Sequence, residues 1–144
     1  MGYQPQWDIP APEFFADRAY GEAGEEIVRE FIAQLSLGAI EVKTDRWRNG
    51  RMVVETQQLT AHGWRASGLN VTQASWWVYQ YHLDGAFVMV AVDRLKRYLR
   101  VNYDTLEKRE FGARGDTRTR GYLLAPHQVT DLLTNKTYDR RQPE

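Results

Sequence analysis

Apolar residues recur at helical spacing near the amino-terminal end of the chain. Between residues 14 and 35 they fall mostly three or four positions apart, which is the spacing of one face of an α-helix. Gly21 and Gly24 interrupt this pattern, and a glycine costs about 1 kcal/mol in a helix interior. We therefore expect a firm helix that begins near Glu22 and stops before Gly38. Residues 1–13 hold three of the five prolines and are predicted to form an extended arm.

Two short segments after this helix alternate between apolar and polar residues as β-strands do. They cover residues 39–45 and 52–58, and "RWRNGR" lies between them. Asn49-Gly50 is a strong signal for a two-residue turn, so the pattern predicts that the two strands pair as a hairpin. Residues 59–71 are predicted to be mostly loop with one irregular strand. Thr72 is expected to cap a short helix over "QASWW".

The second half of the chain predicts further strands and helices. "WVYQYHL" and "AFVMVAV" read as two strands joined at Asp84-Gly85, and Asp93 is the expected N-cap of a helix over "RLKRYLRVNY". A basic loop "EFGARGDTRTRG", a strand "YLLAP", a helix "HQVTDLL" and a frayed tail over 135–144 complete the prediction. The expected fold is one α/β domain over residues 1–144, with a mixed β-sheet flanked by helices.

The aromatic run in "SWWVYQYHL" has two interpretations. Its rings are able to stack on nucleic-acid bases, but alternation along a strand sends Trp77, Tyr79 and Tyr81 to one side. We therefore expect Trp77 to lie in the core.

Composition narrows the classes of site that the chain can hold. It contains no cysteine, which excludes disulfides and thiolate metal sites. The three histidines are scattered without ligand spacing, and no nucleophile elbow or phosphate-cradling Gly-Lys-Ser/Thr loop is present. No run of about 18 apolar residues and no secretory signal is visible, so we expect no membrane contact and a cytoplasmic location.

Charge is unevenly distributed although the formal net charge is zero. Residues 1–42 hold eight acids and two bases, whereas residues 94–120 hold nine bases and four acids. This division fits either a metal site beside a phosphate-binding surface or two faces with different solvation. The arginines that we expect to contact nucleic acid are Arg46, Arg48, Arg114, Arg118 and Arg120. A soluble loop without a ligand is the alternative for the last three.

Charged residues alternate with apolar ones in the two strands of the predicted hairpin. Glu41, Lys43 and Asp45 point to one side of the first strand, and Glu55 and Gln57 are expected to share one side of the second. If register brings Asp45 and Glu55 together, their carboxylates form a hard oxygen site suited to Mg²⁺ or Mn²⁺. Lys43 or Gln57 would then orient a water molecule or a phosphate. The alternative is the solvent face of an edge pair, with Glu–Lys contacts between strands.

The segments "GEAGEEIVREF", "IEVKTDR" and "GRMVVETQ" follow one another within residues 20–60. In this order they resemble the PD-(D/E)XK nuclease superfamily, and within it the phage-encoded archaeal-type Holliday junction resolvases. The resemblance implies that Asp45 and Glu55 are metal ligands and catalytic residues. Gln57 stands where the superfamily usually has lysine, and Lys43 is the candidate to replace that lysine.

The same resemblance implies a metal-binding glutamate on the preceding helix. Glu25 is the expected residue, with Glu22 and Glu26 as alternatives. A second alignment takes Glu41-Val42-Lys43 as the motif, but it requires an acid on an earlier strand, and only a helix is predicted there.

The resemblance also implies a restriction-endonuclease-like fold and Mg²⁺- or Mn²⁺-dependent hydrolysis of DNA. Branched DNA is the implied substrate, and a homodimer is implied because a four-way junction needs two symmetric cuts. A phage-encoded protein of this kind would act in the host cytoplasm. Two alternatives stay open, namely a nuclease acting on nicks or flaps and a non-catalytic DNA-binding or assembly protein that retains the fold.

Overall fold

The computed structural model describes residues 11–83, 85–112 and 117–139, with side chains from residue 18 onward. The chain divides into two compact units, one ending at Leu37 and the other beginning at Gly38. The described residues confirm the predicted mixed α/β class. The helices are α1 (Ala11–Ser36), α2 (Val92–Val101) and α3 (Pro126–Thr134). The strands are β1 (Ile40–Asp45), β2 (Met52–Thr60), β3 (Gly63–Ala66), β4 (Trp76–Tyr81), β5 (Ala86–Ala91), β6 (Glu107–Phe111) and β7 (Thr119–Leu124).

Helix α1 accounts for the described part of the first unit. It begins at Ala11 rather than near Glu22, so the predicted extended arm is wrong for residues 11–13, while residues 1–10 lie outside the described residues. Gly21 and Gly24 do not break the helix, because the alanine, glutamate and arginine residues around them are strong helix formers. The predicted stop is confirmed, since Gly38 has a φ of +69° just after the last turn.

The strands of the second unit form two sheets, with the orders β1-β4-β5 and β3-β2-β7-β6. β1 runs parallel to β4, and all other neighbouring strands are antiparallel. The predicted hairpin of residues 39–45 with 52–58 is therefore wrong, because β1 and β2 belong to different sheets. Asn49-Gly50 makes a local turn in which Asn49 Oδ1 accepts a hydrogen bond from the Arg51 N–H at 3.1 Å. A turn signal reports local backbone geometry, whereas packing of the strand faces decides which strands pair.

Two further connections differ from the prediction. The segment "QASWW" forms no helix; Thr72 Oγ1 accepts a hydrogen bond from the Ala74 N–H, and β4 begins at Trp76. The two ends of the predicted basic loop belong to β6 and β7, which pair as a hairpin. The predicted β4–β5 hairpin and the helix over "HQVTDLL" are confirmed.

The end of the described chain is ordered by arginines of α2. Residues 136–138 form a short 3₁₀ turn in which Tyr138 is buried. Arg94 donates hydrogen bonds to the carbonyls of Leu132 and Asn135, both at 2.7 Å, and so satisfies groups that the end of α3 leaves open. The predicted frayed tail is therefore wrong for residues 135–139, and residues 140–144 lie outside the described part.

Buried side chains from both sheets and from α2 and α3 form one core in the second unit. Trp77 is fully buried, which confirms the expectation from strand alternation. Other fully buried members are Met52, Val54, Leu95, Leu124 and Leu132. The core therefore fixes one face of β2, and Val53 and Glu55 point away from it.

Two glycines allow neighbouring backbone to approach β2 closely at Glu55. A Cβ atom on Gly121 would lie 1.9 Å from the carbonyl oxygen of Val54, and one on Gly68 would lie 2.3 Å from that of Glu55. Such distances are far below van der Waals contact, so no larger residue fits without moving β2. The position of Glu55 therefore depends on both glycines.

We expect Gly121→Ala to lower the free energy of unfolding by about 1–3 kcal/mol, as overpacking does in a filled interior. Urea unfolding followed by tryptophan fluorescence measures the change. Gly24→Ala is the matched control, because its new methyl group meets open space and alanine favours a helix. Equal stability of Gly121→Ala and wild type would contradict the close approach.

Candidate functional site

A cleft of about 480 Å³ lies at the carboxyl end of β1, beside β2 and the β6–β7 hairpin; we call it the Asp45 cleft. It is lined by Lys43, Thr44, Asp45, Arg46, Trp47, Val53, Glu55, Tyr79, Phe111, Gly112 and Thr119. The structure thus brings Lys43, Asp45 and Glu55 to one cleft, although β1 and β2 do not pair.

The charged side chains of β1 face inward. Glu41, Lys43 and Asp45 are half-buried, whereas Val42 between them is 56% exposed. In the parallel register with β4, the three charged positions lie beside Trp77, Tyr79 and Tyr81, respectively. The arrangement therefore differs from the solvent face of an edge pair, because Val42 and Thr44 are exposed whereas the three charged positions are half-buried.

Lys43 lies between two carboxylates. Its Nζ atom is 2.8 Å from Glu41 Oε1 and 3.9 Å from Glu55 Oε2, and it lies 5.6 Å from the centroid of the Trp77 ring. The Lys43 and Glu55 side chains are only 30% and 24% exposed, so solvent screens their attraction less than at an open surface. Of the two candidates for the missing motif lysine, the structure places Lys43 next to Glu55.

Asp45 is held by hydrogen bonds to both of its carboxylate oxygens. Oδ1 accepts from the Trp47 backbone N–H at 2.7 Å, and Oδ2 accepts from the Tyr79 hydroxyl at 2.5 Å. The Tyr79 oxygen in turn accepts from the Val53 N–H at 3.1 Å. Burial, together with the hydrogen bond to Asp45, raises the pKa of Tyr79 well above its ordinary value, so it is a protonated donor at neutral pH. Sequence reasoning treated Tyr79 only as a core or base-stacking residue and missed this role.

Gln57 lies on the opposite face of β2 from Glu55. The register shifts by one residue between them, because Glu55 opposes Gly121 whereas Gln57 opposes Arg120. Arg120 and Tyr122 share a face of β7, so Gln57 joins that face. The expectation that Glu55 and Gln57 share one side of the strand is wrong, and the cause is this bulge. Gln57 lines a different cavity.

The candidate acids of α1 pair with arginines of the same helix. Glu22 lies 3.1 Å from Arg18, and Glu25 and Glu26 lie 3.3 and 3.5 Å from Arg29. These exposed pairs have the three- and four-residue spacing that supports a helix. All three acids belong to the first unit, and the role of Glu25 as a metal ligand stays a prediction.

The donor atoms of the Asp45 cleft suit a hard divalent cation that keeps part of its water shell. Asp45 and Glu55 offer carboxylate oxygens, and Mg²⁺ is commonly bound by one or two carboxylates with several water molecules. Each Asp45 oxygen uses one lone pair in its hydrogen bond and retains another. No cluster of three or more histidine or acidic side chains suited to a metal occurs within residues 11–83, 85–112 and 117–139.

The arginines beside β1 lie at two cavities. Arg46 lines the Asp45 cleft. Arg48 lines a neighbouring cavity with Tyr81, and its Nη2 atom lies 3.3 Å from His82 Nδ1. Both therefore border concave surfaces near Asp45.

The arginines of the predicted basic loop share an acidic partner. Arg118 and Arg120 both donate hydrogen bonds to Glu110, which lower the pKa of that carboxyl. The Arg120 guanidinium also lies 3.8 Å from the centroid of the Trp64 ring. Arg114 lies outside the described residues. All five arginines remain predictions as contacts to nucleic acid.

Comparisons of the chain with protein-family models, curated proteins and solved structures found no match. The resemblance to PD-(D/E)XK nucleases therefore stays a prediction from the sequence motifs. No helix among the described residues is long and apolar enough to cross a membrane.

We expect Tyr79→Phe to lower the free energy of unfolding by about 1.5–3 kcal/mol, because it removes a hydrogen bond to a charged carboxylate. It also leaves the part-buried Val53 N–H without its acceptor. Denaturant unfolding measures the loss, and Tyr103→Phe is the control, since the Tyr103 ring is 51% exposed. If both variants are as stable as wild type, the hydroxyl does not join Asp45 to β2.

Proposed function

We propose that this protein is a metal-dependent nuclease that hydrolyses phosphodiester bonds of DNA. The observation that supports this most is the convergence of Lys43, Asp45 and Glu55 on the Asp45 cleft, from strands of two different sheets. These are the residue types that the PD-(D/E)XK resemblance assigns to metal binding and to positioning the attacking water.

In the proposed mechanism, Asp45 and Glu55 would hold Mg²⁺ or Mn²⁺, which when bound would lower the pKa of a water molecule and offset the charge of the reacting phosphate. Lys43, which lies beside Glu55, donates a hydrogen bond to the attacking water or to a phosphate oxygen. Tyr79 keeps the Asp45 carboxylate in one orientation, and Arg46 contacts a neighbouring phosphate.

The proposed substrate is branched DNA, and this part rests on the sequence resemblance. A four-way junction is resolved by two symmetric cuts, so the proposal includes a homodimer. The protein would act in the cytoplasm, which is the host cytoplasm if a phage encodes it. A nuclease that cuts nicks or flaps would use the same cleft with a different substrate geometry.

A non-catalytic DNA-binding protein is the second candidate. Both oxygens of Asp45 already accept hydrogen bonds, and Lys43 occupies the space between Glu41 and Glu55 with its own positive charge. Such a site would be stable without a cation. This candidate predicts binding to DNA without any metal-dependent product.

We expect the Asp45 cleft to bind Tb³⁺, a luminescent probe for sites of hard cations, and we expect Mg²⁺ to displace it. Trp47 and Tyr79 line the cleft and act as sensitisers of Tb³⁺ emission. Asp45→Asn should weaken Tb³⁺ binding by about 10-fold or more, whereas Asp104→Asn, which removes an acid that does not line the cleft, should leave it unchanged. Equal weakening by both variants would place the cation elsewhere.

We expect wild type to cut a synthetic four-way junction in Mg²⁺ and to be inactive in EDTA, with a linear duplex as the comparison substrate. Asp45→Asn and Lys43→Met should each reduce the rate by about 100-fold or more. Mutation of a residue that only supports a metal ligand already lowers activity by up to about 100-fold. Asp104→Asn, which removes an acid that does not line the cleft, should retain the rate. Cutting by Asp45→Asn at the wild-type rate would remove the proposed site, and DNA binding without products would favour the second candidate.

A further inference from the structure

A second concave surface of the second unit combines basic and aromatic side chains. Two adjoining cavities of about 320 Å³ each share Thr56 and Tyr122 in their walls. One lies over β6 and β7, and the other lies between α2 and the sheet. We call the pair the Tyr122 groove.

The groove is strongly basic in a chain of zero formal charge. Its lining holds five basic side chains and one acidic side chain: Lys96, Arg100, Lys108, Arg109, Arg120 and Glu110. The Asp45 cleft, by contrast, is lined by two bases and two acids. A surplus of positive charge concentrated in a concave surface attracts polyanions.

Two of these cations are available to a ligand. Arg120 binds Glu110, and Arg109 lies 2.6 Å from Glu107. Lys96 and Arg100 lie one turn apart on α2 and are exposed; among the described residues, no acid lies within ion-pair distance of either. They are therefore placed to contact successive phosphates of one strand.

The walls of the groove hold two aromatic rings beside these charges. The Tyr103 and Tyr122 rings meet edge to face, with centroids 6.4 Å apart. Leu69 and Leu99 form an apolar floor, and Lys108 Nζ lies 3.9 Å from the Tyr103 centroid. Aromatic rings next to a cationic track are the features with which proteins bind single strands, because an unpaired base exposes its face for stacking.

We infer that the Tyr122 groove binds a single-stranded segment of nucleic acid. Lys96 and Arg100 contact its phosphates, and Tyr122 stacks on an unpaired base. In a duplex the bases stack on one another, so their faces cannot reach the groove. The inference deepens the proposed function, on which it rests for the identity of the substrate, since flapped and forked forms of branched DNA carry single-stranded segments. Binding itself needs neither metal nor cleavage.

Fluorescence anisotropy of a fluorescein-labelled oligo-dT strand, titrated in EDTA at several salt concentrations, tests the inference. Lys96→Ala combined with Arg100→Ala should weaken binding and reduce the slope of log affinity against log salt by about 1.4, because two phosphate contacts are lost. Tyr122→Leu should weaken binding by about 5- to 150-fold at every salt concentration.

Matched controls remove similar groups outside the groove. Lys136→Ala combined with Arg51→Ala removes two exposed charges, and Tyr20→Leu removes the ring of an exposed tyrosine on α1; neither should alter oligo-dT binding. Thermal unfolding of each variant separates loss of binding from loss of folding, and Tyr103→Leu repeats the aromatic test if Tyr122→Leu fails to fold. An oligo-rU strand distinguishes RNA from DNA as the source of the single strand.

Equal affinity for a linear duplex of the same length, or equal weakening by groove and control variants, would overturn the inference. The outcome is separate from that of the nuclease proposal. Single-strand binding in EDTA by a protein that never cuts DNA would remove the proposed function and leave the groove. Metal-dependent cutting of DNA, together with groove variants that bind oligo-dT as well as wild type does, would support the proposed function and overturn the inference about the groove.

Discussion

The candidate site depends on one buried hydroxyl group that connects two sheets. Tyr79 on β4 donates a hydrogen bond to Asp45 at the end of β1 and accepts one from Val53 on β2. Because β1 and β2 share no backbone pairing, this link fixes the carboxylate of one sheet relative to the neighbouring strand of the other. Without it, the Asp45 carboxylate would lose its hydrogen-bonded connection to β2.

Lys43 stabilises the candidate site through its positive charge. It lies between Glu41 and Glu55 and brings positive charge to a half-buried region that would otherwise hold only carboxylates near β1. A group of like charges in such surroundings is costly, and an interposed cation removes most of that cost. The charged residues of "IEVKTD" therefore lie on the inner face of β1, where the aromatic rings of β4 limit the access of water.

Local features of this chain were predictable, and long-range pairing was not. The β4–β5 hairpin, the burial of Trp77 and the end of α1 follow from turn signals, alternation and a terminal glycine. The pairing of β1 with β4 spans some thirty residues, and no short pattern encodes a parallel partner. The bulge after Glu55 could not be predicted either, because the alternation of side chains between two faces assumes a regular strand. Gly68 and Gly121, whose missing side chains admit the backbone there, are recognisable only once the strands are in place.

The bulge in β2 assigns neighbouring positions to different surfaces. Glu55 faces the Asp45 cleft, and Gln57 faces the Tyr122 groove. A lysine introduced at position 57 would thus extend the cationic groove and would not rebuild the motif of PD-(D/E)XK nucleases. Deletion of Thr56, by contrast, would move the side chain of every later residue of β2 to the opposite face of the strand. The one extra residue in this strand thereby places two nearby sequence positions on different surfaces. A substitution at either position can alter the charge of one surface without changing the other.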